Sequence, residues 1–137
     1  MTVKLKPKQT IIALDVNSLE EIKSLLSIID KDLFRLKVGK QLFTSQGPKA
    51  IDELRSFGFD IFLDLKLHDI PNTVQKGLKA ILKLKPIFTT IHISGGDDMQ
   101  KISNIKNKKT KILGVTILTS LDKKQTSKYY KENNVKK

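Results

Sequence analysis

Within Asp64-Leu65-Lys66-Leu67-His68-Asp69-Ile70-Pro71-Asn72-Thr73, a lysine lies among carboxylates at the end of an apolar run, a set of groups suited to proton transfer. Extended backbone alternates its side chains between two faces. Asp64 and Lys66 are therefore expected on one face, and Leu63, Leu65 and Leu67 on the other. Asp69 falls past the expected strand end, where Ile70-Pro71-Asn72 turns the chain. From there it can aim back at the pair or reach a neighbouring subunit. His68 is placed off the face of Lys66, in packing or at an interface, and His92 is assigned a strand-end hydrogen bond. The two histidines and the scattered carboxylates lack metal-ligand spacing, so no metal is expected. Gly95-Gly96 suits either a phosphate-holding loop or a sharp strand-to-helix turn.

Short apolar runs alternate with amphipathic segments along the chain, which is the signature of parallel βα units. Strands are predicted at Ile11 to Val16, Phe34 to Val38, Asp60 to Lys66, Ile87 to Ile93 and Ile112 to Leu118. The first helix is expected after an Asn17 or Ser18 N-cap, with Glu20 and Glu21 favouring the helix dipole and Leu19, Ile22, Leu25, Leu26 and Ile29 on one face. Further helices are expected over Gly47 to Phe57, stopped by Gly58, over Thr73 to Leu84 and over Asp97 to Asn107. Residues 1–10 read as a basic N-terminal extension, 11–121 as the domain, and 122–137 as a polar basic tail or truncated helix.

Such a series fits either an open doubly wound sheet or part of a (β/α)8 barrel. The turn after the first strand, Asp15-Val16-Asn17-Ser18, has no glycine-rich dinucleotide fingerprint. Polar residues instead recur at successive strand ends: Asp15, then Lys37, then Asp64 and Lys66, then His92, then Thr119 and Ser120. In a barrel those positions converge on one mouth, where barrel enzymes keep their sites. The fold class expected is α/β, an incomplete (β/α)8 TIM-type barrel of about five βα units.

Composition narrows the partners. The formal charge of +12 comes almost wholly from lysine, Arg35 and Arg55 are the only arginines, and Trp is absent, so a nucleic-acid stacking surface is not expected. A lysine-rich surface still attracts anions such as phosphate esters. Without cysteine there is no disulfide framework and no thiolate chemistry, and no apolar run reaches the length of a membrane span. The expected setting is cytoplasmic.

Five motifs in one order, Ala13-Leu14-Asp15-Val16, Leu36-Lys37-Val38-Gly39, Phe62 through Thr73, His92-Ile93-Ser94-Gly95-Gly96 and Gly114 through Ser120, resemble the orotidine 5′-phosphate decarboxylase family over residues 10 to 122. The resemblance implies a barrel that dimerises across its mouth and converts orotidine 5′-phosphate to UMP without any cofactor. It implies that Lys66 protonates C6 of the pyrimidine and that Asp64 lies beside the departing carboxylate. Lys37 and Asp69 would complete an alternating charged network, with Asp69, Ile70 and Thr73 serving the partner subunit's site. Asp15 and Lys37 would meet ribose hydroxyls, and Thr119 or Ser120 the pyrimidine edge.

A closed eight-stranded barrel needs about 200 residues or more, whereas the expected strands here number five. The late units, which in this family carry the phosphate grip, have no counterpart among these residues. The polar Asn133-Asn134-Val135-Lys136-Lys137 ending reads as truncation. The expected alternatives are one half of a split enzyme, completed by a complementing C-terminal fragment, or a non-catalytic remnant. A metal-assisted hexulose-phosphate decarboxylase relative shares the Asp-x-Lys-x-x-Asp element, but the Asp-Ile-Pro-Asn-Thr extension and Leu118-Thr119-Ser120 argue against it. A magnesium requirement would revive it.

Overall fold

The computed structural model describes residues 6–102, 104, 105, 107 and 109–130, with the backbone alone at 129. Five parallel strands form one sheet in the order of the chain: β1 (Thr10–Leu14), β2 (Phe34–Gly39), β3 (Ile61–Leu67), β4 (Phe88–His92) and β5 (Lys111–Val115). Between them lie α1 (Lys23–Leu26), α2 (Lys40–Gln46), α3 (Pro48–Ser56), α4 (Pro71–Lys83) and α5 (Asp97–Ile102), and α6 (Lys123–Tyr130) follows β5.

Strand order and helix placement decide between the two architectures. A doubly wound sheet reverses its order at a switch point and carries helices on both faces; here the order runs straight through. Leu14, Leu36, Val38, Ile61 and Leu63 of the strands share one buried cluster with Leu42, Ile51 and Leu54 of the helices. Ile91 packs with Val74, Leu78, Met99 and Ile102 on the same face, with Ile112 against them. Within each strand these residues share one parity and the register aligns them on one face, so the helices that carry the cluster, α2 to α5, cover one side of the sheet, as around a barrel. The opposite face carries the buried Asp64 and Thr90 but leaves Ile11 and Leu113 37% and 40% exposed. Among the described residues, β1 and β5 are the edges of the sheet.

Several local expectations are corrected. Neither Asn17 nor Ser18 caps a helix with its side chain; both donate backbone N–H bonds to Glu21 Oε1, at 3.1 and 2.9 Å. Asn17 Oδ1 is occupied by Gln41 of α2, so the chain enters a 3-10 turn at Glu20–Ile22 and makes only a short α1. Leu25 on the expected apolar face is exposed. The α2 helix was not expected: its seven residues contain only Leu42 and Phe43 as large apolar groups, too few to show a helical period. Gly47, at φ 65°, separates it from α3, whose first residue is Pro48. Pro71 likewise begins α4 two residues ahead of the expected start.

At the chain ends, Thr10 already belongs to β1, and Lys8 joins the domain through Asp60 at 2.7 Å. Asp122 begins a helix, exchanging bonds with Gln125: its carboxylate accepts the Gln125 N–H at 2.8 Å and its own N–H donates to Gln125 Oε1 at 3.1 Å. The expectations for residues 1–5 and for the 131–137 ending lie outside the described residues. No described helix is long and apolar enough to cross a membrane.

Candidate active site

The side chains that could do chemistry gather where β1, β2 and β3 end. Asp15 directly follows β1, Lys37 projects from β2, and Asp64 and Lys66 lie on β3. They form a row of alternating charge. Lys37 Nζ lies 3.9 Å from Asp15 Oδ1 and 3.9 Å from Asp64 Oδ2, and Lys66 Nζ donates to Asp64 Oδ2 at 2.6 Å. Asp64 is the buried member, its side chain 9% exposed against 25% for Lys37 and 36% for Lys66. Burying a carboxylate is costly unless it is paired and hydrogen-bonded. Here its other oxygen accepts the Thr90 hydroxyl of β4 at 2.9 Å.

Asp64 and Lys66 do meet, as strand alternation led one to expect, but not through a regular strand. β3 pairs Leu63 with Thr89 and Leu67 with Ile91, so it advances four residues while β4 advances two. The surplus forms a bulge that contains the pair. Lys66 is in the left-handed region at φ 48°, which a residue with a Cβ rarely adopts. Bulges re-aim side chains beside active sites, and strained backbone concentrates there.

Among the histidines, the face of His68 differs from expectation. His68 was placed off the face of Lys66, yet strict alternation returns residue 68 to the face of 64 and 66, and its ring stacks on His92 with centroids 4.6 Å apart. Partial burial, then His68, Lys40 and Lys66, hold the His92 pKa below its ordinary value of 6.5. As pH falls, the unfolded chain therefore takes up this proton first. The His92 contribution to stability is complete above about pH 6.5 and is lost as pH falls from there towards the depressed folded pKa. Between pH 7.5 and 5.5 the parent chain should lose more thermal stability than His92→Asn; equal losses would remove His92 from the pH response.

Asp69, Ile70 and Thr73 lie on the far side of the bulge and are exposed. Asp69 Oδ1 accepts the Ile70 N–H at 2.6 Å and stands outside the row. Thr119 and Ser120 occupy an exposed turn after β5. Gly95 and Gly96 serve the turn into α5: a Cβ on Gly95 would come within 2.4 Å of Met99 Cγ, and Gly96 has φ 84°. Among the described residues, no three His, Asp or Glu side chains come together as a metal site. The sequence reading missed Thr90; its position one pleat before His92, on the same face, was the available signal.

Parallel βα units with helices on one side, and an acid–base row at the carboxyl ends of the strands, define the barrel-enzyme class. Residues 8–137 match the Orotidine 5′-phosphate decarboxylase / HUMPS family. The chain belongs to that family. It is 44% identical over 117 residues to orotidine 5′-phosphate decarboxylase of Saccharophagus degradans, covering 82% of this chain and 49% of that protein. It is 46% identical over 114 residues to the enzyme of that name from Staphylococcus aureus strain Newman, covering 80% and 49%. The crystal structure of orotidine 5′-phosphate decarboxylase from Lactobacillus acidophilus superposes with a TM-score of 0.76 at 38% identity, covering 92% of this chain and 59% of that one. The chain thus spans about half the length of the curated relatives it matches.

Proposed function

We propose that these residues form the proton-donating half of an orotidine 5′-phosphate decarboxylase, which releases CO2 and forms UMP in pyrimidine biosynthesis. The observation that carries this reading is the Lys66 ammonium 2.6 Å from the buried Asp64 carboxylate, at the rim of a sheet of this family. Cleavage of the bond between C6 and the carboxylate leaves an electron pair in the ring plane, where no ring carbonyl delocalises it. An ammonium at that point stabilises the pair and then delivers its proton to C6. Asp64 faces the departing carboxylate and adds like-charge repulsion to the ground state. Asp15 and Lys37 take the ribose hydroxyls, and Thr119 or Ser120 the pyrimidine edge. No cofactor enters this scheme, and the free nucleotide substrate suits a cytoplasmic setting.

Two features of the surface support completion by further protein. The face of the sheet opposite the helices, with Ile11 and Leu113 exposed, is the face that a closed barrel fills with side chains. Asp69 and the 66% exposed Ile70 project from the loop after β3, suited to a homodimer in which they and Thr73 serve the partner's site. The phosphate grip belongs to the remaining βα units, and phosphate binding energy is what positions the reacting end.

These 137 residues alone should form no UMP from orotidine 5′-phosphate, and a polypeptide carrying the remaining βα units should restore it. UMP formation by the isolated residues would overturn the division of labour. Absence of UMP from a demonstrated complex would instead favour the non-catalytic remnant.

A further inference from the structure

We infer that Thr90 is a positioning residue for the proton donor, an inference that rests on the decarboxylase reading of Lys66. Its side chain is buried, and its single hydroxyl joins the two members of the charged pair through different atoms. Oγ1 accepts the backbone N–H of Lys66 at 2.9 Å and donates to Asp64 Oδ1 at 2.9 Å. The direction of both bonds follows from the groups: a carboxylate accepts only, a backbone N–H donates only, and a hydroxyl has one proton and two lone pairs. One hydroxyl therefore ties the Lys66 backbone to the partner of the Lys66 ammonium.

Its location explains the need. Inside the bulge the β3–β4 register is broken, and Lys66 at φ 48° has left the geometry in which a strand ladder would hold it. A residue in that region persists only where its surroundings over-determine it. Thr90 supplies such a constraint from the neighbouring strand, and its branched Cβ narrows the rotamers it can adopt. The adjacent Thr89 is just as buried, yet its hydroxyl has no hydrogen-bond partner, so burial on β4 alone does not produce this arrangement.

The test compares the full 137-residue chain with Thr90→Val, which removes the hydroxyl at nearly constant shape, and Thr90→Ser, which keeps it. Thr110→Val is the control, because that buried hydroxyl donates to the Pro86 carbonyl, away from the site. Amide hydrogen exchange at Lys66 is the primary readout, with the Leu36 amide, bonded to the Asp60 carbonyl, as the probe of the sheet. Thr90→Val should speed exchange at Lys66 about tenfold, the equivalent of one lost hydrogen bond, and leave Leu36 unchanged. Thr90→Ser should stay within about threefold of the parent at Lys66, the same hydrogen bond being retained. Thr110→Val should leave Lys66 unchanged. A Lys66 amide no better protected in the parent than in Thr90→Val, equal acceleration at Leu36, or failure of serine to restore protection would each overturn the inference. In the complemented enzyme, Thr90→Val should lower kcat with little change in KM, and Thr90→Ser should recover it. Since exchange needs no turnover, a protected Lys66 in an assembly that forms no UMP would sink the decarboxylase reading while leaving the placement of Lys66 by Thr90 intact.

Discussion

Lys66→Ala should lower kcat for UMP formation by about 10^4-fold or more in the complemented assembly, because it removes both a positioned general acid and the cation facing the developing carbanion. Those two effects are separately worth about 10^2 to 10^4 and about 10^2 to 10^3 in rate. They overlap in one ammonium, so their product is an upper bound. Binding of UMP should survive, since the remote contacts to ribose and phosphate do not pass through Lys66. Steady-state UMP formation together with UMP titration separates the two outcomes. Turnover within tenfold of the parent would remove Lys66 from the donor role, and parallel loss of UMP binding would point to a disrupted site. A glycine variant guards against a backbone artefact. Lys66→Gly relieves the left-handed strain at φ 48°, which Lys66→Ala leaves in place. Equal inactivity of the two variants therefore assigns the loss to the ammonium.

The sequence showed which residues share the rim better than it showed how they get there. Asp15, Lys37, Asp64 and Lys66 are legible because each ends or follows a run of apolar residues, and parallel strands bring their carboxyl ends together without any knowledge of loop geometry. The bulge was not legible. Periodicity assumes one residue per pleat, and nothing in Leu63-Asp64-Leu65-Lys66-Leu67 marks where β3 slips against β4. The stacking of His68 on His92 depends on that slip and on the path of the chain beyond it. Thr90 was invisible for another reason: a threonine inside an apolar strand fits β propensity and asks for no functional account. Short α2 was lost because Leu42 and Phe43 alone show no helical period, and the turn before α1 because Gln41 engages Asn17 from across the loop.

Asp64→Ala should be the most destabilising change in the charged row, by about 2–3 kcal/mol, although the residue is read as catalytic. Removing one partner of a buried ion pair costs about 3–5 kcal/mol when the other stays buried. The lower figure applies here because Lys37 and Lys66 are partly exposed and can turn their ammonium groups to water. One loss remains in full, since the Thr90 hydroxyl forfeits its acceptor, while the repulsion between Lys37 and Lys66 without the anion between them is reduced by their exposure. Lys66→Ala leaves Asp64 with Thr90 and the nearby Lys37, so it should cost about 1 kcal/mol, in the range of a single hydrogen bond. Urea denaturation of both single variants and the double variant measures the difference, provided that the slope of stability against urea is unchanged. The double variant should be more stable than the sum of the single losses predicts, because the pair is in direct contact. If Asp64→Ala costs no more than Lys66→Ala, Asp64 is not the hub. The row is then held by the backbone geometry of the bulge rather than by its central carboxylate.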